Sequence, residues 1–150
     1  MTLALRPATA ADDAFLTRAS YAFERDEGHP PGEDPGPPFI ASTRRFFDEN
    51  PSRGAVLVID RAGEAIGYVI LVALWSNEFR GETFLLDELY VDPAHRGGAG
   101  REALDAVLDY ARARGAGQVS LEVLDANPRV AGLYARRGFV SERRSYWRKL

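Results

Sequence analysis

Residues 89–101, LYVDPAHRGGAGR, have the composition of an anion site: a strand end, a glycine-rich turn and the start of a helix. Glycines let backbone N–H groups approach phosphate oxygens, and a helix N-terminus adds partial positive charge. Arg96 and Arg101 flank the turn and can supply full charges. The turn lacks the Lys-Ser/Thr pair of a P-loop, and its GGAG departs from the dinucleotide fingerprint. A plain tight strand-to-helix connection is the simpler alternative.

Other chemistries are excluded by composition. The 150 residues contain no cysteine, which removes thiolate nucleophiles, zinc-thiolate sites and disulfides. His29 and His95 are the only histidines, so no metal site is expected. No apolar run approaches the ~18 residues of a membrane span, and the first residues lack a signal-peptide core, so the expected compartment is cytoplasmic. With a pI near 5.4 and no nucleic-acid motif, the arginines do not indicate nucleic acid. The net charge of −3 hides an asymmetry: residues 1–92 carry −8 and residues 93–150 carry +5. Such a split is expected to face partners of opposite sign.

The turn needs elements to hold it. Alternation over 2–5 suits a short edge strand. Thr9 with Asp12 resembles a capping box before a helix over 10–24. Residues 26–38 hold five of the nine prolines and three glycines, which indicates a loop. A second helix is expected over 39–48. Strands over 55–59 and 64–75 form a hairpin about Arg61-Ala62-Gly63, and a third strand covers 83–91. After the glycine turn, Ala103, Leu104, Val107, Leu108 and Ala111 make a helical stripe with Gly115 as its C-cap. A strand over 118–124, a helix from Pro128 to about Arg137, and a final strand over 139–150 follow. The expected fold is a single domain over 1–150 with an α/β mixed sheet: an antiparallel meander leads into a βαβ unit, with six to seven strands and four helices.

Two motifs together resemble the GCN5-related N-acetyltransferase (GNAT) superfamily. Leu89-Tyr90-Val91-Asp92-Pro93 and the glycine turn resemble its Arg/Gln-x-x-Gly-x-Gly/Ala motif and the strand before it. Asn127, Leu133, Tyr134, Gly138 and Phe139 resemble its second signature, with Val130 where alanine is common. The resemblance spans the chain, with one departure. Arg96-Gly97-Gly98-Ala99-Gly100 is one residue short if Arg96 holds the first motif position; otherwise His95 holds it, with Gly98 and Gly100 as the motif glycines.

The resemblance implies acetyl-CoA as co-substrate, bound by Leu89, Tyr90, Val91, Arg96, Gly97, Gly98, Ala99, Gly100, Arg101 and Asn127. Tyr134 would protonate the leaving thiolate. A carboxylate would deprotonate the amine, Glu88 in preference to Glu122, because an amine attacks only when neutral. Strand residues alternate faces, so Asp87 and Glu88 could share one site only across a bulge. With no cysteine, direct transfer in a ternary complex is expected. The acceptor would meet residues 21–50 and 75–82, where Glu24, Asp26, Glu27 and other acids favour a small cationic amine or amino-sugar. Tyr21, Phe23, Phe39, Trp75 and Phe79 are candidates to line that slot. A peptide amine acetyltransferase and an idle acyl-CoA sensor remain as alternatives. The last strand, over 139–148, is expected to offer a pairing edge for a homodimer.

Overall fold

The computed structural model describes residues 2–27, 36–124 and 128–150. Most of the proline-rich loop, and Asn127 with it, lie outside them. The described elements run β1 (Leu3–Pro7), α1 (Asp13–Glu27), α2 (Ile40–Glu49), β2 (Gly54–Arg61), β3 (Glu64–Ser76), β4 (Gly81–Val91), α3 (Ala99–Ala113), β5 (Val119–Leu121) and α4 (Pro128–Arg136). Short 3-10 turns at Ala10–Asp12 and Pro93–His95 precede α1 and α3. No helix among the described residues is long and apolar enough to cross a membrane.

The five strands lie in sequence order, antiparallel from β1 to β4 and parallel between β4 and β5. This is the mixed α/β sheet expected from the sequence. β2 and β3 are buried on both sides because each face carries a helical layer. Leu57, Ile59, Val69, Leu71, Phe84 and Leu86 pack with Ala103, Leu104 and Val107 of α3. Val56, Val58, Tyr68, Ile70 and Tyr90 pack with Leu16 and Ala19 of α1 and with Ile40 and Phe47 of α2.

Local signals explain the boundaries. The Thr9 N–H donates to the Asp12 carboxylate at 2.8 Å, which forms the expected N-terminal cap. Ala62 and Gly63 both take positive φ, 58° and 85°, as a two-residue hairpin turn requires. Gly115, at φ 73°, ends α3, and the Ala116 N–H closes back on the Ala111 carbonyl at 3.1 Å.

Two strand expectations are corrected. The strand read over 118–124 spans only Val119–Leu121. The final strand read over 139–150 does not form, so the sheet has five strands among the described residues instead of six or seven. Alternation is a pattern that a strand satisfies only when a neighbouring backbone accepts its hydrogen bonds. Among the described residues, 141–150 have no such neighbour and lie exposed, with Trp147 at 86%. The edge on which the homodimer expectation rested is thus absent from the chain's own sheet.

Candidate active site

β4 carries the site because its pairing changes halfway along. Against β3, Leu71 faces Leu86 but Ile70 faces Glu88, so Asp87 is an extra residue in a β-bulge. The phase change is visible in the apolar residues: Phe84 and Leu86 pack on the α3 side before the bulge, Leu89 and Val91 after it. On the opposite edge, β4 pairs with β5 only through Phe84↔Val119, Leu85↔Ser120 and Leu86↔Leu121. Beyond Leu86, where the bulge begins, no described strand covers that edge. Leu89, Tyr90 and Val91 therefore lie on an open strand edge that leads to the glycine turn.

The turn itself leaves its backbone open. Asp92 accepts from the Ala94 N–H at 2.9 Å and starts the 3-10 turn. Gly97 and Gly98 take φ of 107° and 117°, a region where a side chain would be strained. Nothing lies within 4 Å of the positions that a Cβ would occupy at Gly97, Gly98 or Gly100. Gly98 caps α3, and its carbonyl accepts from the Glu102 N–H at 3.0 Å. The first-turn amides, including those of Ala99, Gly100 and Arg101, have no acceptor inside a helix. Arg96 folds back so that its Nε donates to the Val91 carbonyl at 3.2 Å, and its guanidinium lies 3.5 Å from Asp26 of α1. His95 points instead to Glu64, at 3.5 Å. Of the two residues that could hold the first motif position, Arg96 is thus the one on the open edge.

The carboxylates divide by environment. Glu88 faces the α1 side, and its carboxyl is pushed up to about 7, chiefly by burial and then by the charges of Asp87 and Glu24, while Tyr68 opposes the shift. Asp87 is also raised, by burial and by the charge of Glu122. The bulge is present as that pairing required, but Glu88 turns towards Tyr68 and Glu24 while Asp87 feels the charge of Glu122. Glu122 lies exposed just past the end of β5, beside Asp87, rather than within a strand.

Tyr134 sits half-buried on α4. Gly138, at φ 84°, turns the chain at the helix end, and the Phe139 N–H returns to the Tyr134 carbonyl at 3.1 Å. The Phe139 ring then packs edge-on against Tyr134, 5.7 Å between centroids. The spacing Tyr-x-x-x-Gly-Phe therefore has a physical basis: the glycine lets the phenylalanine hold the tyrosine. Both rings pack on the α3-side core, so Tyr134 and Glu88 approach β4 from opposite faces.

Sequence reasoning missed Tyr68 as a site residue. It is fully buried on β3, and its hydroxyl lies beside Ser20 and Glu88 without completing an aligned hydrogen bond to either. Burial first, then the charge of Glu88, pushes its ionisation far above the usual phenol range. In sequence, Tyr68 is one more apolar residue of a buried strand. The bulge did leave a signal, the even-to-odd switch of apolar positions between Leu86 and Leu89.

The model of the acetyltransferase (GNAT) family matches residues 18–139. The chain is 32% identical over 88 residues to the uncharacterized N-acetyltransferase YhfO of Bacillus subtilis (strain 168), covering 58% of this chain and 59% of that protein. It is 29% identical over 117 residues to streptothricin acetyltransferase of Streptomyces lavendulae, covering 77% of this chain and 54% of that one. The chain thus spans little more than half the length of these curated relatives. In fold it is similar to the crystal structure of a possible acetyltransferase from Clostridium difficile 630, with a TM-score of 0.81 at 14% identity over 100% of this chain and 99% of that one. With the family match running from α1 through Phe139, the chain belongs to the acetyltransferase (GNAT) family.

Proposed function

We propose that this protein is an N-acetyltransferase that moves an acetyl group from acetyl-CoA directly to a primary amine, with Glu88 as the base. The observation that carries the reading is the Glu88 carboxyl, held near 7 beside the bulge from which the open edge of β4 runs. A base near neutrality is deprotonated often enough to act and still accepts a proton from an ammonium.

The glycine turn and Arg96 would take the pyrophosphate, and the open backbone of Leu89 and Val91 would pair with the pantetheine arm. Open space at Gly97, Gly98 and Gly100 supports the first assignment. Asn127 retains its proposed cofactor contact by motif alone. In the reaction Glu88 takes a proton from the acceptor ammonium, and the nitrogen lone pair forms a bond to the thioester carbonyl carbon. The oxyanion rests on a strand N–H such as that of Val91. Collapse breaks the C–S bond, Tyr134 gives its proton to the departing thiolate, the surplus proton on the attacking nitrogen passes through solvent to restore the tyrosine, and Glu88 releases its own proton to solvent. The surplus of acid over the first 92 residues supports a cationic acceptor.

The test is release of free thiol from acetyl-CoA across a panel of amines. Amine-dependent release is expected. Binding of acetyl-CoA without turnover on any amine or lysine peptide would overturn this reading in favour of a sensor.

A further inference from the structure

The β2–β3 hairpin backs the glycine turn. Its strand β3 is tied to the end of β4, where the Asp92 N–H donates to the Ile66 carbonyl at 2.8 Å. From the hairpin's tip, Glu64 reaches His95 at 3.5 Å and Arg61 reaches Glu102 at 3.2 Å, one before Arg96-Gly97-Gly98 and one after it. Arg61 and Glu64 face each other across the hairpin, so a single two-residue turn delivers both contacts.

Glu102 is the acid in the first turn of α3, and its N–H closes on the Gly98 carbonyl at 3.0 Å. In the free protein the helix dipole favours an acid there. For a polyanion it is the wrong charge. Acetyl-CoA carries a pyrophosphate and a further phosphate on its ribose, and a carboxylate one helical turn beyond Gly98 repels both. Among the described residues, Arg61 is the cation that pairs with Glu102.

Stability does not account for this pair. The dipole already stabilises Glu102, and an ion pair with a half-exposed carboxylate adds little. Holding Arg61 in place also leaves its Nε buried with no hydrogen-bond partner, which costs free energy. What the pair does achieve is local neutrality beside the glycine turn. Arg61 comes from the hairpin, outside the turn, so it cancels the field of Glu102 without taking up the amides of Ala99, Gly100 and Arg101.

Resting on the assignment of the glycine turn to the pyrophosphate, we propose that Arg61 is a positioning residue for acetyl-CoA: it holds the Glu102 carboxylate and cancels its charge, so that the start of α3 accepts a polyanion. Arg61 acts through Glu102 and does not touch the phosphates. The β2–β3 hairpin is thereby part of the cofactor site, although it contributes no ligand to it.

The test is calorimetric titration of CoA into the full chain and three variants. Arg61→Met, which keeps most of the apolar stem, is expected to weaken CoA binding about fivefold or more at low salt. Glu102→Gln alone is expected to bind CoA at least as tightly as the wild type. The double variant Arg61→Met/Glu102→Gln is expected to regain the wild-type affinity, a rescue that a merely structural role for Arg61 would not give. Equal affinity in the wild type and Arg61→Met would overturn the proposal. A double variant as weak as Arg61→Met would also overturn it, and would make Arg61 a direct phosphate ligand. Loss of affinity in Glu102→Gln would overturn it in favour of a mechanical clamp, and that arm holds even if Arg61→Met fails to fold. The two readings fail separately: the expected order of CoA affinities with no thiol release on any amine would leave the role of Arg61 standing and remove the transferase.

Discussion

At the scale of single residues, Glu88 makes opposite predictions for activity and stability. Its carboxyl lies near 7 when folded and near the ordinary 4.5 when unfolded, so between those values the folded state binds more protons. Its contribution to stability is therefore present below about 4.5 and lost as pH rises through 7. Glu88→Gln should raise stability at pH 8 by about 1–2 kcal/mol, the smaller end reflecting partial exposure, measurable by urea melts. The same change should lower kcat about 100-fold or more and remove the rise of kcat/KM with pH through about 7, seen by thiol release. Tyr134→Phe keeps the ring packed on Phe139 and removes only the hydroxyl. Turnover should fall about 10- to 100-fold with acetyl-CoA binding intact, and an unchanged rate would remove Tyr134 from the mechanism. Tyr134 was legible from its motif. Tyr68 was not, because a buried strand tyrosine differs from its apolar neighbours only by an oxygen whose surroundings come from α1 and β4.

Among elements, the bulge in β4 and the turn into α3 do separate work. The extra residue at Asp87 changes the side-chain phase of β4, and the pairing with β5 stops there, which leaves the strand edge open. The turn requires left-handed backbone at Gly98, at φ 117°. Gly98→Val would both strain that backbone and fill the open space, so the acetyl-CoA affinity should fall about tenfold or more, as read from the thermal shift. A different junction ties β1 to the start of α1. Arg6 donates to both oxygens of Asp12 at 2.9 Å and to Asp60 on β2 at 3.1 Å. It holds the largely buried Asp12 carboxyl down to about 2. A depressed carboxyl stabilises the fold above about 4 and loses that contribution as pH falls towards 2. Asp12→Asn should cost about 2 kcal/mol at pH 7 and flatten the acid limb of the stability curve. The cap at Thr9 and Asp12 was readable because it is local. The partner Asp60 is 54 residues from Arg6 and was not.

For the whole molecule, the charge split acquires a place. The change of sign after Asp92 falls between β4 and the glycine turn, so the basic half begins where the polyanionic substrate is proposed to sit. Raising salt from 50 to 300 mM should therefore weaken acetyl-CoA binding severalfold, and salt indifference would return the asymmetry to composition. The order and type of the elements through α4, the glycine turn and the Tyr134-Gly138-Phe139 unit follow from the sequence by itself, because periodicity, caps and turn residues act within a few positions of one another. The tertiary structure decided three further things. It half-buried Glu88 and left Glu122 exposed, since desolvation depends on what packs above a residue. It withheld a strand from 139–150, since alternation without a paired backbone forms none. It brought Glu24 of α1 to Tyr68 and Glu88, since three elements distant in sequence meet only once the sheet is covered.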